Sequence, residues 1–101
     1  MNEGILKLAQ EITMKKSPEE ALSLIVRSYL EQRIAEYEGK INGFERKYRM
    51  CFDEFGLKLN DDESERALEE EFGDKLHMDY MEWEAYSDGL KILKSKLSSL
   101  Q

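Results

Sequence analysis

Apolar residues recur along the middle of the chain in steps that alternate between four and three, the spacing that keeps side chains on one face of an α-helix. The members of this first stripe are Leu30, Ile34, Tyr37, Ile41, Phe44, Tyr48, Cys51 and Phe55. A second stripe near the C-terminus contains Leu76, Trp83, Tyr86, Leu90, Leu93, Leu97 and Leu100. The two stripes predict two long helices, each of which needs an apolar partner.

Capping signals define the expected helix boundaries. Ser17 offers an N-cap, Pro18 suits the first helical position and Glu20 suits the third, so a long helix is expected over 17–50. A short N-terminal helix or arm is expected over 1–16, because apolar residues there also follow helical spacing.

Three polar residues at the end of a predicted connection, Asn60, Asp61 and Asp62, are alternative N-caps for a short acidic helix over 62–72. The connection itself is expected over residues 57–62. Gly73 should end the acidic helix, and a C-terminal helix is expected over 75–100.

Gly39 and Gly43 lie four residues apart inside the predicted long helix. Glycine lowers helix stability by about 1 kcal/mol relative to alanine, so its presence here needs a reason. The pair indicates either close approach of another helix or a break in the long helix near Asn42-Gly43.

Composition favours an all-α fold. Charged residues make up 37% and hydrophobic residues 41% of the 101 residues, with a single proline. This balance is typical of long helices and unfavourable for strands or disorder. The sequence predicts one helical domain over 1–101, in which the long helix and the C-terminal helix pack antiparallel, with shorter helices, in a dimeric bundle.

The formal net charge is −7, which disfavours direct binding to nucleic acid or to anionic membranes and favours encounters with basic proteins. No stretch approaches the roughly 20 apolar residues that span a bilayer, and no signal peptide is evident. We therefore expect a cytoplasmic protein with no membrane or nucleic acid partner.

The densest ionic feature is an acidic run, formed by Asp61, Asp62, Glu63, Glu65, Glu69, Glu70, Glu71 and Asp74. It lacks the glycine turn and the distal glutamate of a calcium loop. A solvated helix face is therefore favoured over an acidic docking surface or a metal site.

The single histidine, His77, has Asp74 and Glu84 three and seven residues away, where a helical face can bring them together. A lone histidine near a helix start is nevertheless more often structural or exposed. The sequence offers no phosphate loop and no nucleophile with a matching base, so no enzyme activity, cofactor or metal is expected.

Trp83 and Tyr86 lie three apart, on one face of the predicted C-terminal helix. Such aromatic residues are favoured as binding anchors. The alternative is that both rings pack on the Tyr37–Tyr48 part of the long helix, and this alternative is favoured for Trp83. Cys51, which lies on the first stripe, is expected to be a small buried thiol.

Two segments resemble a known family. Lys47-Tyr48-Arg49-Met50-Cys51-Phe52-Asp53-Glu54-Phe55 precedes an acidic stretch, which is followed by Asp79-Tyr80-Met81-Glu82-Trp83-Glu84-Ala85-Tyr86. This order is similar to small prokaryotic, especially archaeal, helical antitoxin-like proteins, over roughly residues 34–98. Arg49 occupies the position where that pattern has glycine. The resemblance implies a non-enzymatic protein that masks a small toxin.

We therefore predict a protein-binding module with an acidic rim, which masks a small basic toxin and forms a homo-oligomer, with a dimer favoured. The residues expected to contact either the partner or a second copy are Leu30, Ile34, Tyr37, Ile41, Phe44, Tyr48, Phe55, Trp83, Tyr86, Leu90, Leu93 and Leu97. A self-associating structural bundle is the alternative function. A metal protein or enzyme that uses His77 and the acidic run is the least supported reading.

Overall fold

The computed structural model describes residues 17–100, and these residues form four α-helices and no strand. The helices are α1 (Pro18–Tyr48), α2 (Phe52–Leu59), α3 (Asp62–Phe72) and α4 (Leu76–Ser98). The all-α prediction is confirmed. The helix or arm predicted over 1–16 lies outside the described residues.

Side-chain caps begin two of the helices as the sequence predicts. The backbone N–H of Glu20 donates to Ser17 Oγ at 3.2 Å at the start of α1. Among the three candidates for α3, Asp61 is the N-cap, and its carboxylate accepts a hydrogen bond from the Ser64 N–H at 3.0 Å. Gly73 follows α3 with a φ of 94°, a conformation that suits glycine.

The chain turns sharply after α1, and the structure departs there from what the sequence predicts. Arg49 adopts a φ of 56° and Cys51 has extended backbone, so α1 stops and the seven-residue register is interrupted. Cys51 is exposed at the N-cap of α2, so the prediction of a buried thiol is wrong. Residues 57–59, predicted as part of a connection, belong to α2 instead, because Phe52, Phe55 and Leu59 are spaced to share one helical face.

Helices α1 and α4 pack against each other in antiparallel directions, as predicted. Tyr37 meets Tyr86 with ring centroids 5.2 Å apart. Nearer the end of α1, Tyr48 contacts Asp79 near the beginning of α4. As residue numbers rise along α1, those of its partners on α4 fall, which defines the antiparallel arrangement.

The described chain divides into two compact units. One contains residues 17–35 and 92–100, with Leu30 and Ile34 buried. The other, Glu36–Lys91, contains the end of α1, all of α2 and α3, and most of α4. The Glu36–Lys91 unit holds the buried aromatic cluster that follows below. The prediction of a single domain over 1–101 stays a prediction.

Neither explanation for the glycines of α1 holds in the described structure. Helix α1 is continuous through Gly39 and Gly43, and a Cβ built at either position meets no atom of another described helix within 4 Å. Close approach occurs at Gly89 of α4 instead, where an added Cβ would lie 2.5 Å from Cε2 of Tyr37. A glycine here lets the Tyr37 ring lie against the α4 backbone.

We predict that Gly39→Ala and Gly89→Ala change stability in opposite directions. Gly39→Ala should raise the free energy of unfolding by about 1 kcal/mol, because alanine is the better helix former and meets no neighbour. Gly89→Ala should lower it, because the new methyl group displaces the Tyr37 ring. Urea unfolding followed by circular dichroism measures both, and equal stabilisation by the two substitutions would contradict the assigned contact.

Arg49→Gly should stabilise the protein by about 1 kcal/mol, because the left-handed backbone conformation at this position disfavours a residue with a Cβ. The ion pair lost with the guanidinium, to Glu71, lies between side chains that are 74% and 54% exposed, and such pairs contribute little. Arg46→Gly, inside the last turn of α1, is the control and should destabilise. Thermal unfolding that ranks the two variants the other way would contradict the turn conformation.

Candidate protein interaction site

The indole of Trp83 is fully buried at the centre of the Glu36–Lys91 unit. Its ring centroid lies 5.5 Å from that of Phe44 on α1, and 5.5 Å and 5.4 Å from those of Phe52 and Phe55 on α2. These separations fall in the range of favourable aromatic pairs. Trp83 therefore packs α4 against both α1 and α2 at once.

Tyr48, at the end of α1, extends the cluster to α3. Its ring lies 4.3 Å from Phe55 and 4.9 Å from Phe72, and the residue is only 2% exposed. Leu68 of α3 and Leu76 of α4 are buried in the same cluster. All four helices therefore contribute side chains to one apolar interior within this unit.

Asp79 bridges the polar ends of Tyr48 and Lys47. The Tyr48 hydroxyl donates to Asp79 Oδ2, and Lys47 Nζ donates to the same oxygen at 2.7 Å. Burial alone would raise the pKa of Asp79, but the hydrogen bonds from Lys47 and Tyr48, with the charge of Lys47, outweigh it and hold this pKa below its ordinary value. The carboxylate is therefore ionised and joins the end of α1 to the beginning of α4.

The same contact makes Tyr48 a very weak acid. Burial, followed by the hydrogen bond to Asp79 and its negative charge, raises the pKa of Tyr48 well above its ordinary value. The phenol therefore stays protonated near neutral pH and donates to the Asp79 carboxylate.

The predicted contact residues lie mainly inside the chain. The buried members are Leu30, Ile34, Tyr48, Phe55 and Trp83. The partly buried members are Tyr37, Ile41, Phe44, Tyr86, Leu90, Leu93 and Leu97. The packing favoured for Trp83 is confirmed, because its ring stacks on Phe44 and Tyr48 of the long helix. Tyr86 also packs on the long helix, against Tyr37.

His77 and the acidic run lie at the surface. The His77 imidazole is 67% exposed, and its Nε2 lies 3.6 Å from Glu65 Oε1 on α3, not beside Asp74 or Glu84. Asp61 caps α3 and Glu71 pairs with Arg49, while most other members of the run are exposed. Within residues 17–100, no three His, Cys, Asp or Glu side chains form a group that could hold a metal ion.

Large apolar side chains outside the stripes are the surface feature that the sequence analysis missed. In the Glu36–Lys91 unit, Leu57 is 74% exposed, Met81 70% and Met78 62%. The sequence pattern predicts a connection over residues 57–62 and therefore gives Leu57 no helical position, whereas Leu57 lies on the side of α2 opposite the buried Leu59 and Phe55. Methionine and leucine exposed to this degree offer apolar area that a partner protein can cover.

A shallow groove of about 340 Å³ lies beside Leu57. Its lining residues are Phe52, Asp53, Gly56, Leu57, Asn60 and Tyr80. Phe52 and Tyr80 stack at 4.9 Å between ring centroids, so the aromatic cluster reaches the surface at this point. The groove combines apolar walls with one carboxylate and one amide.

No protein-family model, curated protein or solved structure matches the chain. No helix in the described part of the chain has the length and apolar character that a membrane crossing requires. The antitoxin-like resemblance therefore stays a prediction, and the case for a function rests on the surface geometry.

We predict that Tyr48→Phe lowers the free energy of unfolding near neutral pH by about 1–3 kcal/mol, because a hydrogen bond to a charged group is lost. Because the pKa of Tyr48 is raised in the folded chain, the contribution of its hydroxyl to the free energy of unfolding is complete below about pH 10. This contribution is lost as the pH rises further, because the unfolded chain then ionises the phenol and the folded chain does not. The wild-type and variant stabilities should therefore converge in alkaline solution.

Urea titrations between neutral and alkaline pH measure this convergence. Tyr29→Phe, which alters a tyrosine that is 59% exposed, is the matched control and should follow the wild type throughout. A constant difference between Tyr48→Phe and the wild type across the alkaline range would contradict the Tyr48–Asp79 contact.

Proposed function

We propose that this protein is a non-enzymatic binding module of the antitoxin-like kind, which masks a small basic protein. The observation that carries the proposal is the set of exposed apolar residues Leu57, Met78 and Met81 on a strongly acidic unit. Methionine and leucine at a surface supply adaptable apolar contacts. The surrounding carboxylates attract a basic partner and orient it.

Charge supports the same partner class. The Glu36–Lys91 unit contains 17 acidic and 8 basic residues, a net charge of −9, whereas the whole chain carries −7. The negative charge is therefore concentrated on the unit with these exposed apolar residues. Such a surface repels phosphate backbones and accelerates association with cationic proteins.

Self-association is the second candidate. Val26 and Tyr29 lie three apart on α1 and are 38% and 59% exposed, so their side of the helix offers apolar area to a second copy. The homodimer predicted from the sequence would use this outer side, because the first stripe is largely packed within the chain.

Co-purification from the source cells, with light scattering of the recovered complex, tests the proposal. The tagged wild-type chain should retain a small basic protein in a fixed ratio, and co-expression should reduce the toxicity of that protein. The triple variant Leu57→Ser, Met78→Ser, Met81→Ser should lose about tenfold or more of the captured protein, because its apolar anchors are gone.

Arg66→Ser, Lys75→Ser and Lys91→Ser together provide the matched control, because they alter three exposed residues of the same unit without removing apolar area. This control should capture the partner at least as well as the wild type. Recovery of the chain alone as a defined oligomer would contradict the masking function and favour the self-associating bundle.

A further inference from the structure

The groove beside Leu57 has the shape and chemistry of a receptor for one inserted side chain. Phe52 and Tyr80 stack on each other, with ring centroids 4.9 Å apart, and so form one apolar wall, while the exposed Leu57 stands at the edge. An apolar side chain placed against this wall and Leu57 would remove these surfaces from water. Such burial in a pocket is how anchor residues contribute most of their binding free energy.

Gly56 shapes the groove. An added Cβ at this position would lie 3.3 Å from Cε2 of Tyr80, so glycine allows the ring to lie close to the α2 backbone. Glycine is a poor helix former, and α2 has only eight residues, yet it places glycine in its middle. The close approach of Tyr80 accounts for this choice.

The polar groups of the groove select the charge of the occupant. Asp53 is the one charged residue in its lining, and Asn60 supplies an amide that can donate to or accept from a peptide backbone. No lining residue is basic, and the whole Glu36–Lys91 unit is acidic. An occupant with lysine or arginine beside its apolar anchor therefore complements the groove.

We propose that this groove binds a short segment of a partner protein, which inserts an apolar side chain against Phe52, Leu57 and Tyr80 and pairs a lysine or arginine with Asp53. The proposal rests on the proposed masking function and assigns a place and a chemistry to the partner. A second copy of this chain is the less suitable occupant, because two acidic units of the same charge repel each other.

Selection of random linear peptides displayed on phage, with the full wild-type chain as bait, tests the groove directly. We expect enriched peptides to combine a large apolar residue with lysine or arginine. Their affinity should fall about tenfold or more with Leu57→Ser and by a smaller factor with Asp53→Asn. Synthetic copies of the enriched peptides, titrated by calorimetry, provide the affinities.

Two matched variants separate binding from folding. Ile92→Ser removes an exposed apolar side chain that lies outside the Glu36–Lys91 unit and does not line the groove. Glu54→Gln alters the carboxylate adjacent to Asp53, which does not line the groove. Both variants should bind the peptides as the wild type does, and circular dichroism should show the same helix content for all four.

In the peptide selection, the proposal would be overturned by the absence of any enriched peptide, by enrichment of acidic peptides, or by peptides that bind the Leu57→Ser chain unchanged. A loss of self-association in Leu57→Ser would assign the groove to a second copy, which also contradicts it. If a basic protein co-purifies equally with the wild type and with Leu57→Ser, the masking function stands and the groove assignment fails.

Discussion

Burial of the Trp83 indole is the constraint on which the rest of the Glu36–Lys91 unit depends. A ring of this size needs apolar neighbours on every side, and α1 and α2 provide them through Phe44, Phe52 and Phe55. Its Nε1 is buried without an acceptor among the described residues, so packing alone holds the ring. Because α2 must return across the end of α1 to supply those neighbours, the chain has to turn at residues 49–51. The ionised Asp79, held by Lys47 and Tyr48, then joins the end of α1 to the beginning of α4.

Most of this fold can be predicted from the sequence. Helical spacing and capping residues identified the long helix, the acidic helix with its stop at Gly73, and the antiparallel C-terminal helix. The turn after α1 was harder to predict, because Phe55 continues the seven-residue register of α1 although it belongs to α2. Helical spacing shows only that a residue faces the interior. Because α1 and α2 pack on the same interior, their apolar residues continue one seven-residue spacing across the turn between them. The turn requires a positive φ at Arg49, and an arginine gives no sequence signal for that conformation.

The candidate site was less accessible to sequence reasoning than the fold. The stripes mark residues that must be buried, and they do not distinguish burial within the chain from burial against a partner. Here Tyr37, Phe44 and Trp83 find partners within the chain, so the surface left for a second protein consists of residues outside the stripes. Leu57 and the methionines of α4 carry no periodic signal of their own, and only the placement of α2 beside Tyr80 creates the groove. The sequence does show that acidic residues are concentrated between residues 36 and 91. This concentration predicts the charge of a partner, but it does not predict where the partner docks.

Fluorescence of Trp83 across a dilution series tests the central claim, which is that this aromatic interior is completed within one chain and leaves the outer surface to partners. Trp83 is the sole tryptophan, so its emission maximum and its quenching by acrylamide report on this interior alone. The account predicts a blue-shifted emission and weak quenching that stay the same from concentrated to highly dilute protein. Emission that shifts to the red and becomes strongly quenched on dilution would show that a second chain completes the interior, and would contradict the account.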